Sequence, residues 1–402
     1  MANLYQTIYS RACAIEPDTV KTMMDLIGTP SLCAHEKEIA QVVCRELQEA
    51  GADEIRIDGL GNVIGRIGNG PLKIAFDGHL DTVDTGDLSQ WTFDPFQPKV
   101  ENGKVFGRGS VDQKGGLAAM ISAARLIREL HLNEKLTLYF TFTVMEEDCE
   151  GLNWQYLIHE ENIRPDFVVI TEPTNLHLYR GHRGRVEMSV DVRGRSAHSS
   201  LPEMGDNAIY KMARIILEIE KMNHEFRADI IMGKGSISVT EVHSSSPSIC
   251  AVPDGARFRI DRRLTIGESK EKAVAEVTGA VRRAGYENAK VSVLTYEEPS
   301  YTGKVYPAEK FYPTWMLDEN SPYLKNCFET YSGLFGEVPS VGFCSFSTNG
   351  VAIAGLHHIP CVLCGPGNER VAHTPDEACE INQVTRAAAL YAALVAKLNG
   401  KI

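Results

Sequence analysis

The sequence predicts an α/β fold in which helices cover a mainly parallel sheet, with a smaller domain inserted into the chain. Apolar, β-branched runs of strand length alternate with helical patterns over about the first 180 residues. From about Arg185 the order changes to β-α-β-β-α-β. The first pattern is typical of a parallel sheet with helices on both faces, and the second is typical of a split βαβ unit.

The first domain is predicted in two pieces. Strand-like runs occupy 72–80, 135–144 and 166–172, and a helix with one apolar face spans 115–130. The same texture returns late in the chain, with a helix near 321–335, a strand at 361–364 and a terminal helix at 381–398. We therefore predict that residues 1–184 and 299–402 form one domain.

The inserted domain is predicted to span 185–298. Its strands are expected at 186–194, 235–244, 256–264 and 289–297, and its helices at 206–222 and 268–285. This order predicts a ferredoxin-like β-α-β-β-α-β unit.

Composition excludes several classes of partner. The chain has 41 Lys and Arg against 53 Asp and Glu, a formal net charge of −12. Such a chain repels nucleic acid and anionic membranes, whereas metal cations suit it. The N-terminus has no basic stretch followed by an apolar run, which predicts a cytoplasmic protein. The ten cysteines lack framework spacing, and the single CxxC pair, Cys361 and Cys364, is predicted to pack in a core strand.

Polar side chains follow the predicted strands. His79 and Asp81 stand at the end of one strand, Glu146 and Glu147 follow the next, and Glu172 ends a third. Singly, each has an ordinary explanation, such as a surface histidine or a solvated acidic turn. Functional groups in parallel sheets gather beyond the carboxyl ends of the strands, so their common placement indicates a site.

Two further residues complete a set of metal ligands. Asp112 lies in a glycine-rich turn before a helix, where it could also cap the helix, and His373 lies in a polar loop. Two histidines and three carboxylates from five loops are the ligands that two zinc ions need. A further carboxylate must take the proton from a shared water. The pair Glu146–Glu147 supplies one ligand and one base.

These motifs resemble the family of acetylornithine deacetylase, succinyl-diaminopimelate desuccinylase and bacterial glutamate carboxypeptidase, which are two-zinc amidohydrolases of the zinc-peptidase fold. The resemblance covers essentially the whole chain. Within the family, the chain is most similar to a subgroup of selenium-metabolism-linked hydrolases. It implies a cis peptide between Asp112 and Gln113. The implied roles are Asp112 as bridging ligand, His79 and Glu172 as ligands of one zinc, Glu147 and His373 as ligands of the other, Asp81 as the acid that orients His79, and Glu146 as general base.

The resemblance also gives roles to the inserted domain. On its own, His198 in the segment 194–208 is typical of a turn. The family implies instead that it reaches across a homodimer, formed through the inserted domain, and helps to bind the oxyanion. Arg263 matches the arginine of a D-x-R motif, which implies that it holds the substrate carboxylate.

Three features depart from the family pattern. Cys250 stands where many relatives have asparagine, and Asn349 stands where many have aspartate; we expect Asn349 to be a substrate-binding residue. The segment 302–320 is longer and more aromatic than the usual connection, and a surface loop packed by its own aromatics would explain it.

The sequence thus predicts a zinc-dependent deacylase of N-acyl or N-carbamoyl amino acids. Glutamate at position 172 resembles the acyl-amino-acid hydrolases. A di- or tripeptidase is the alternative substrate class, and a binding protein without hydrolytic activity is a third hypothesis. The predicted cofactors are two Zn²⁺ per subunit, with Co²⁺ or Mn²⁺ as alternatives in the second site.

Overall fold

The computed structural model describes residues 4–402. The helices are α1 (Leu4–Ala14), α2 (Glu16–Ile27), α3 (Lys37–Glu49), α4 (Gly115–Glu129), α5 (Leu152–His159), α6 (Ala208–Glu225), α7 (Lys270–Arg283), α8 (Pro322–Phe335) and α9 (Ile381–Leu398). The strands are β1 (Glu54–Ile57), β2 (Val63–Ile67), β3 (Leu72–His79), β4 (Lys99–Glu101), β5 (Lys104–Phe106), β6 (Leu136–Thr143), β7 (Phe167–Pro173), β8 (Leu178–His182), β9 (Gly184–Arg193), β10 (Ala228–Asp229), β11 (Gly233–Lys234), β12 (Ser236–Ser245), β13 (Gly255–Leu264), β14 (Lys290–Val293), β15 (Thr295–Tyr296), β16 (Ala308–Glu309), β17 (Phe311–Tyr312), β18 (Trp315–Met316), β19 (Val341–Cys344), β20 (Cys361–Gly365) and β21 (Ala378–Glu380).

The larger sheet has nine strands in the order β1-β2-β6-β3-β7-β20-β8-β18, with β19 beside β8. The four central strands, β6, β3, β7 and β20, run parallel to one another. The flanking strands β2 and β8 run antiparallel to them. The predicted α/β class is therefore confirmed, and the parallel part is the centre of the sheet.

Helices bury the central strands. Nearly every residue of β6 and β7 is buried, because these strands are covered on both faces. Helices α4 and α9 contribute long runs of buried alanine and leucine to the same core. Gly116 lets α4 approach β7 closely, because a Cβ atom there would lie 2.6 Å from the carbonyl oxygen of Thr171.

A second sheet has the order β12-β13-β9-β14, and all of its strand pairs are antiparallel. Helices α6 and α7 pack on it and form a separate hydrophobic core. Strands and helices follow one another as β9-α6-β12-β13-α7-β14, with the small β10–β11 hairpin between α6 and β12. This is the predicted β-α-β-β-α-β order.

The segment 302–320 differs from the predicted surface loop. It contains β16, β17 and β18, and its β17 pairs with β9 of the second sheet although it lies beyond residue 298. Strand β18 pairs with β8 of the larger sheet. Tyr312 and Trp315 are buried, so this segment joins the two sheets through main-chain pairing and aromatic packing.

The cysteines and the helices fit the sequence-based expectations. All ten cysteines are free, and Cys361 and Cys364 are buried in β20, as predicted for core packing. Among residues 4–402, no helix is both long and apolar enough to cross a membrane.

Candidate active site

The candidate site lies at the carboxyl ends of the central parallel strands. His79 is the last residue of β3, and Glu172 is close to the end of β7. Glu146 and Glu147 follow β6 in a short connection before α5. These strands are neighbours in the sheet, so their ends bring the side chains to one edge.

Asp112 lies at the centre of the cluster, between two histidines. Its Oδ1 is 3.0 Å from Nε2 of His79, and its Oδ2 is 3.2 Å from Nε2 of His373. His79 Nε2 also lies 3.8 Å from Oε1 of Glu172, and His373 Nε2 lies 3.1 Å from Oε1 of Glu147. The structure therefore brings together all five residues predicted as metal ligands, with one oxygen of Asp112 toward each half of the set. The peptide between Asp112 and Gln113 is cis, as expected.

The donor set fits two divalent cations. Ligand atoms of His79, Asp112 and Glu147 lie within 4.8 Å of one another, and so do those of His79, Glu146 and Glu172. Imidazole nitrogens and carboxylate oxygens are the usual ligands of zinc outside thiolate sites. A carboxylate with its oxygens turned to opposite sides can bridge metals ~3.5–4 Å apart.

The electrostatics of the cluster also indicate cation binding. Burial raises the pKa of Glu146 and of Glu172 well above the ordinary value. Burial and the charge of Asp112 raise the pKa of Glu147 to about 6. Burial opposes ionisation of Asp112 as well, but hydrogen bonds from His373 and His79 hold its pKa below the ordinary range. Several carboxylates are thus crowded in a buried space where positive charge would stabilise their ionised forms.

The turn that carries Glu146 and Glu147 is held by two buried carboxylates. Asp81 accepts hydrogen bonds from the main-chain N–H groups of Glu146 (3.2 Å) and Glu147 (3.0 Å). Glu36, which the sequence analysis missed, accepts one from the N–H of Met145 (3.0 Å). Three consecutive N–H groups therefore point to acids beneath the site.

Asp81 contacts the ring of His79 through both its main chain and its carboxylate, and its orienting role stays a prediction. Nδ1 of His79 donates to the main-chain oxygen of Asp81 at 2.8 Å, while the carboxylate Oδ1 is 3.5 Å away. The main chain of Asp81 thus accepts the shorter contact from the imidazole, and its carboxylate also holds the turn of residues 146 and 147 through two N–H donors.

Glu377, also missed, organises the turn that carries Asp112. Its Oε2 accepts hydrogen bonds from Arg108 Nη1 (2.7 Å) and the Gly109 N–H (3.1 Å). Its Oε1 accepts them from the N–H groups of Val111 (2.7 Å) and Asp112 (3.0 Å). The acid four residues after His373 was visible in the sequence, but its four donors converge only in the folded chain.

A cavity of about 310 Å³ opens over the cluster. Ligand sites of small molecules start at about this size. A larger cavity of about 900 Å³ lies along β9, β12 and β13 of the second sheet, but no candidate metal ligand lines it. Convergent titratable groups favour the smaller cavity as the active site. Its lining residues are Asp112, Glu146, Glu147, Glu150, Glu172, Pro173, Arg185, Arg263, Phe346, Ser347, Glu369, Ala372 and His373.

Two arginines of the second sheet face this cavity. Arg263, predicted to bind substrate, lines it and also pairs with Asp261 at 2.8 Å. Arg185 was not predicted; its Nη2 lies 2.5 Å from Oε2 of Glu150, another lining residue. The site is thus built from both sheets, with acids from the larger one and guanidinium groups from the smaller one.

Two predicted residues lie away from the cavity of their own chain. Asn349 is buried, and its amide is occupied by hydrogen bonds with Asp77 Oδ2 (3.0 Å), Thr143 Oγ1 (3.1 Å) and the Gly151 N–H (2.9 Å). It supports the strand ends rather than lining the space for a substrate. His198 is exposed on the inserted unit, where its Nδ1 bonds Ser200 Oγ at 2.7 Å. Its role across a dimer stays a prediction.

The chain is similar to known proteins over most of its length. Residues 75–397 match the model of peptidase family M20/M25/M40. The chain is 43% identical over 392 residues to the uncharacterized protein YgeY of Escherichia coli (strain K12), covering 97% of this chain and 96% of that protein. It is 30% identical over 327 residues to the acetylornithine deacetylase of Buchnera aphidicola subsp. Schizaphis graminum (strain Sg), covering 79% and 78%.

A solved structure shares the fold. The YXEP protein of Bacillus subtilis, described as a dinuclear metal binding peptidase from the M20 family, superposes with a TM-score of 0.70 at 17% identity. The superposition covers 97% of this chain and 99% of that one.

The fold and the site define a metal-dependent enzyme that hydrolyses amide bonds. Within that class, the chain belongs to peptidase family M20/M25/M40. The family resemblance is therefore confirmed, whereas the narrower likeness to selenium-metabolism-linked hydrolases stays a prediction.

Proposed function

We propose that the protein is a deacylase that hydrolyses the amide bond of small N-acyl or N-carbamoyl amino acids, with Glu146 as general base. One observation carries the proposal. Five metal-ligand side chains converge, and beside them Glu146 keeps a buried Oε1 atom without a hydrogen-bond partner among residues 4–402. A free carboxylate oxygen next to a metal centre is the arrangement that general-base catalysis requires.

The roles of the side chains follow from their positions. Asp112 would be shared by two cations, with His79 and Glu172 on one side and Glu147 and His373 on the other. Two bound divalent cations, zinc in our proposal and Co²⁺ or Mn²⁺ as alternatives in the second site, would supply Lewis acidity that lowers the pKa of a shared water.

Glu146 acts on the proton. Its unpaired Oε1 accepts the proton of the attacking water, and the same carboxyl then donates it to the leaving nitrogen. Burial favours the protonated form of Glu146, which suits the second of these steps. Arg263 would hold the carboxylate of the amino-acid part, because its guanidinium lines the same cavity.

The inserted unit, residues 185–298, would serve as a lid and as a dimer contact. Strand β12 is an edge of its sheet, and Val242 on that strand is 54% exposed. Tyr210 and Leu217 on α6 are 65% and 56% exposed. An open edge strand beside exposed apolar side chains is typical of an interface. In a homodimer His198 would reach the cavity of the second copy and help to bind the oxyanion.

The principal test is Glu146→Gln. We expect the variant to keep both metal ions and to lose ~10²–10⁴-fold in kcat, because the base is gone but the ligands remain. Metal content by mass spectrometry and turnover on N-acetyl, N-succinyl and N-carbamoyl amino acids and on dipeptides are measured together. Glu160→Gln, an exposed glutamate, is the control. Wild-type turnover by Glu146→Gln would remove that residue from the role, and a preference for dipeptides would replace the deacylase proposal.

Mixing two inactive variants tests the dimer. His198→Ala retains Glu146, and Glu146→Gln retains His198. If the histidine acts across the interface, a mixed dimer contains one complete site, and turnover should reappear after the subunits exchange. If it acts within its own chain, no mixed dimer contains a complete site and no activity should return.

A further inference from the structure

The active-site cavity contains polar atoms that the proposed reaction does not use. Among the described residues 4–402, four lining side chains have a buried polar atom without a hydrogen-bond partner. They are Glu146 Oε1, Arg185 Nε, Ser347 Oγ and Glu369 Oε2. An unpaired buried polar group costs about 1–3 kcal/mol, so a ligand that pairs with it gains affinity. Proton transfer accounts for Glu146 and leaves three atoms for substrate binding.

Glu369 differs from the other acids of the cavity. Three lining carboxylates are candidate metal ligands, Glu146 is the base, and Glu150 is paired with Arg185. Glu369 has no ion pair within residues 4–402, and its Oε2 is enclosed. An unpaired, partly buried carboxylate is unfavourable unless a cation or an N–H donor meets it.

The position of Glu369 is fixed by the fold. It begins the short 3₁₀ turn Glu369–Val371, between β20 and His373, and Asn368 caps that turn by accepting from the N–H of Arg370. Ser347 lines the same cavity and lies in the loop after β19. A carboxylate oxygen and a hydroxyl oxygen can both accept hydrogen bonds from an ammonium group, which has three donors.

We propose that Glu369, with Ser347, forms a subsite for a cationic amino group of the substrate. The substrate would then carry two recognised groups: a carboxylate held by Arg263 and an ammonium held by Glu369. This inference rests on the proposed function, because it assigns a substrate class to the same cavity. The cavity volume of about 310 Å³ restricts that class to small molecules. The ammonium could stand on the amino-acid part or on the acyl part.

Three substrates of similar size separate these cases. N-acetylnorleucine has no ammonium, N-acetylornithine carries one on the amino-acid side chain, and β-alanylnorleucine carries one on the acyl part. A charge-assisted hydrogen bond in an enclosed site discriminates by roughly 10- to 100-fold. We therefore expect the zinc-loaded wild type to prefer one of the two amines by that factor in kcat/KM.

The variant Glu369→Gln tests the assignment. The ratio of kcat/KM for the preferred amine to that for N-acetylnorleucine should fall toward one, because the amide has no charge. Glu369→Asp, with a retracted carboxylate, should give an intermediate ratio. The exposed Glu380→Gln is the matched control and should keep the wild-type ratio. No preference in the wild type, or a preference that survives in Glu369→Gln, overturns the subsite.

A binding measurement separates this inference from the proposed function. Calorimetry compares ornithine, β-alanine and norleucine on the zinc-loaded protein. If no substrate is hydrolysed, or if the dipeptide β-alanylnorleucine is the preferred one, the deacylase proposal fails. The subsite is then supported if one amine binds at least 10-fold more tightly than norleucine and Glu369→Gln removes the difference. Equal binding of all three compounds overturns it.

Discussion

Glu377→Gln is the substitution that tests most directly how the metal cluster is supported. The carboxylate is buried and receives four hydrogen bonds, from Arg108 and from the N–H groups of Gly109, Val111 and Asp112. Glutamine has nearly the same shape but replaces one acceptor oxygen by an NH₂ donor. At least two of the four donors therefore lose their acceptor, and the buried Arg108 loses its anionic partner.

The expected cost follows from these losses. Breaking a buried ion pair on one side costs about 3–5 kcal/mol, and each stranded donor costs about 1–3 kcal/mol, although the two overlap here. We therefore expect the free energy of unfolding to fall by about 3–5 kcal/mol. Metal affinity should fall by roughly 10- to 100-fold, the usual effect of removing a group that orients a ligand. The affinity change arises because the turn that carries Asp112 is no longer fixed.

Two measurements check the prediction. Urea unfolding of the metal-free protein gives the stability change, and titration with zinc gives the affinity. Glu380→Gln, at the end of the strand β21 that follows Glu377, is the control, because that side chain is exposed and lies 3.8 Å from Lys104 in a weak surface pair. A Glu377→Gln protein with wild-type stability and zinc affinity would show that the four contacts do not support the site.

Three other predictions follow from the same structure. Asn349→Ala should lower the free energy of unfolding by about 2–4 kcal/mol and leave KM unchanged, because its three hydrogen bonds lie beneath the strand ends. A large rise in KM at unchanged stability would restore the substrate-binding role. In the metal-free protein burial raises the pKa of Glu36 to about 8, so its contribution to stability is complete below about pH 4.5 and is lost as the pH rises through 8. Glu36→Gln should therefore lose less stability than the wild type between pH 5 and pH 9, by about 4 kcal/mol in urea unfolding, and parallel curves would contradict this. Chelation should abolish turnover and lower the unfolding temperature, and added zinc should reverse both; an enzyme indifferent to chelator would refute the metal assignment.

The parts of the site that could be predicted from sequence are those marked by patterns of neighbouring residues. Strand-length apolar runs end at or just before His79, Glu146 and Glu172, and the rule for parallel sheets places such ends at one edge. The terminal helix, predicted at 381–398, has those bounds in the structure. Its apolar spacing persists over 18 residues. Long periodic elements are specified by their own residues.

The missed residues depend on partners that are remote in sequence. Glu36 holds an N–H 109 residues away, and Glu377 holds N–H groups more than 260 residues away. A single glutamate at the start of a helix or in a loop has no neighbouring residues that would reveal these distant hydrogen bonds. The pair Arg185–Glu150 is similar, because it joins β9 to the connection between β6 and α5. The segment 302–320 was also missed, since its strands have only two residues each and show no alternation.

The acids around the centre divide into two groups by what their oxygens contact, and this division explains where cations can bind. Asp81 and Glu377 accept main-chain N–H donors on both oxygens, so their charge is compensated by the backbone. Glu146, Glu147 and Glu172 accept no main-chain hydrogen bond and instead face one another and the histidines. Their raised pKa values follow from burial without backbone donors. Cations should therefore bind to Glu147 and Glu172 of the second group and to Asp112, whose oxygens face the two histidines and also accept no main-chain hydrogen bond, while Glu146 is left as the base.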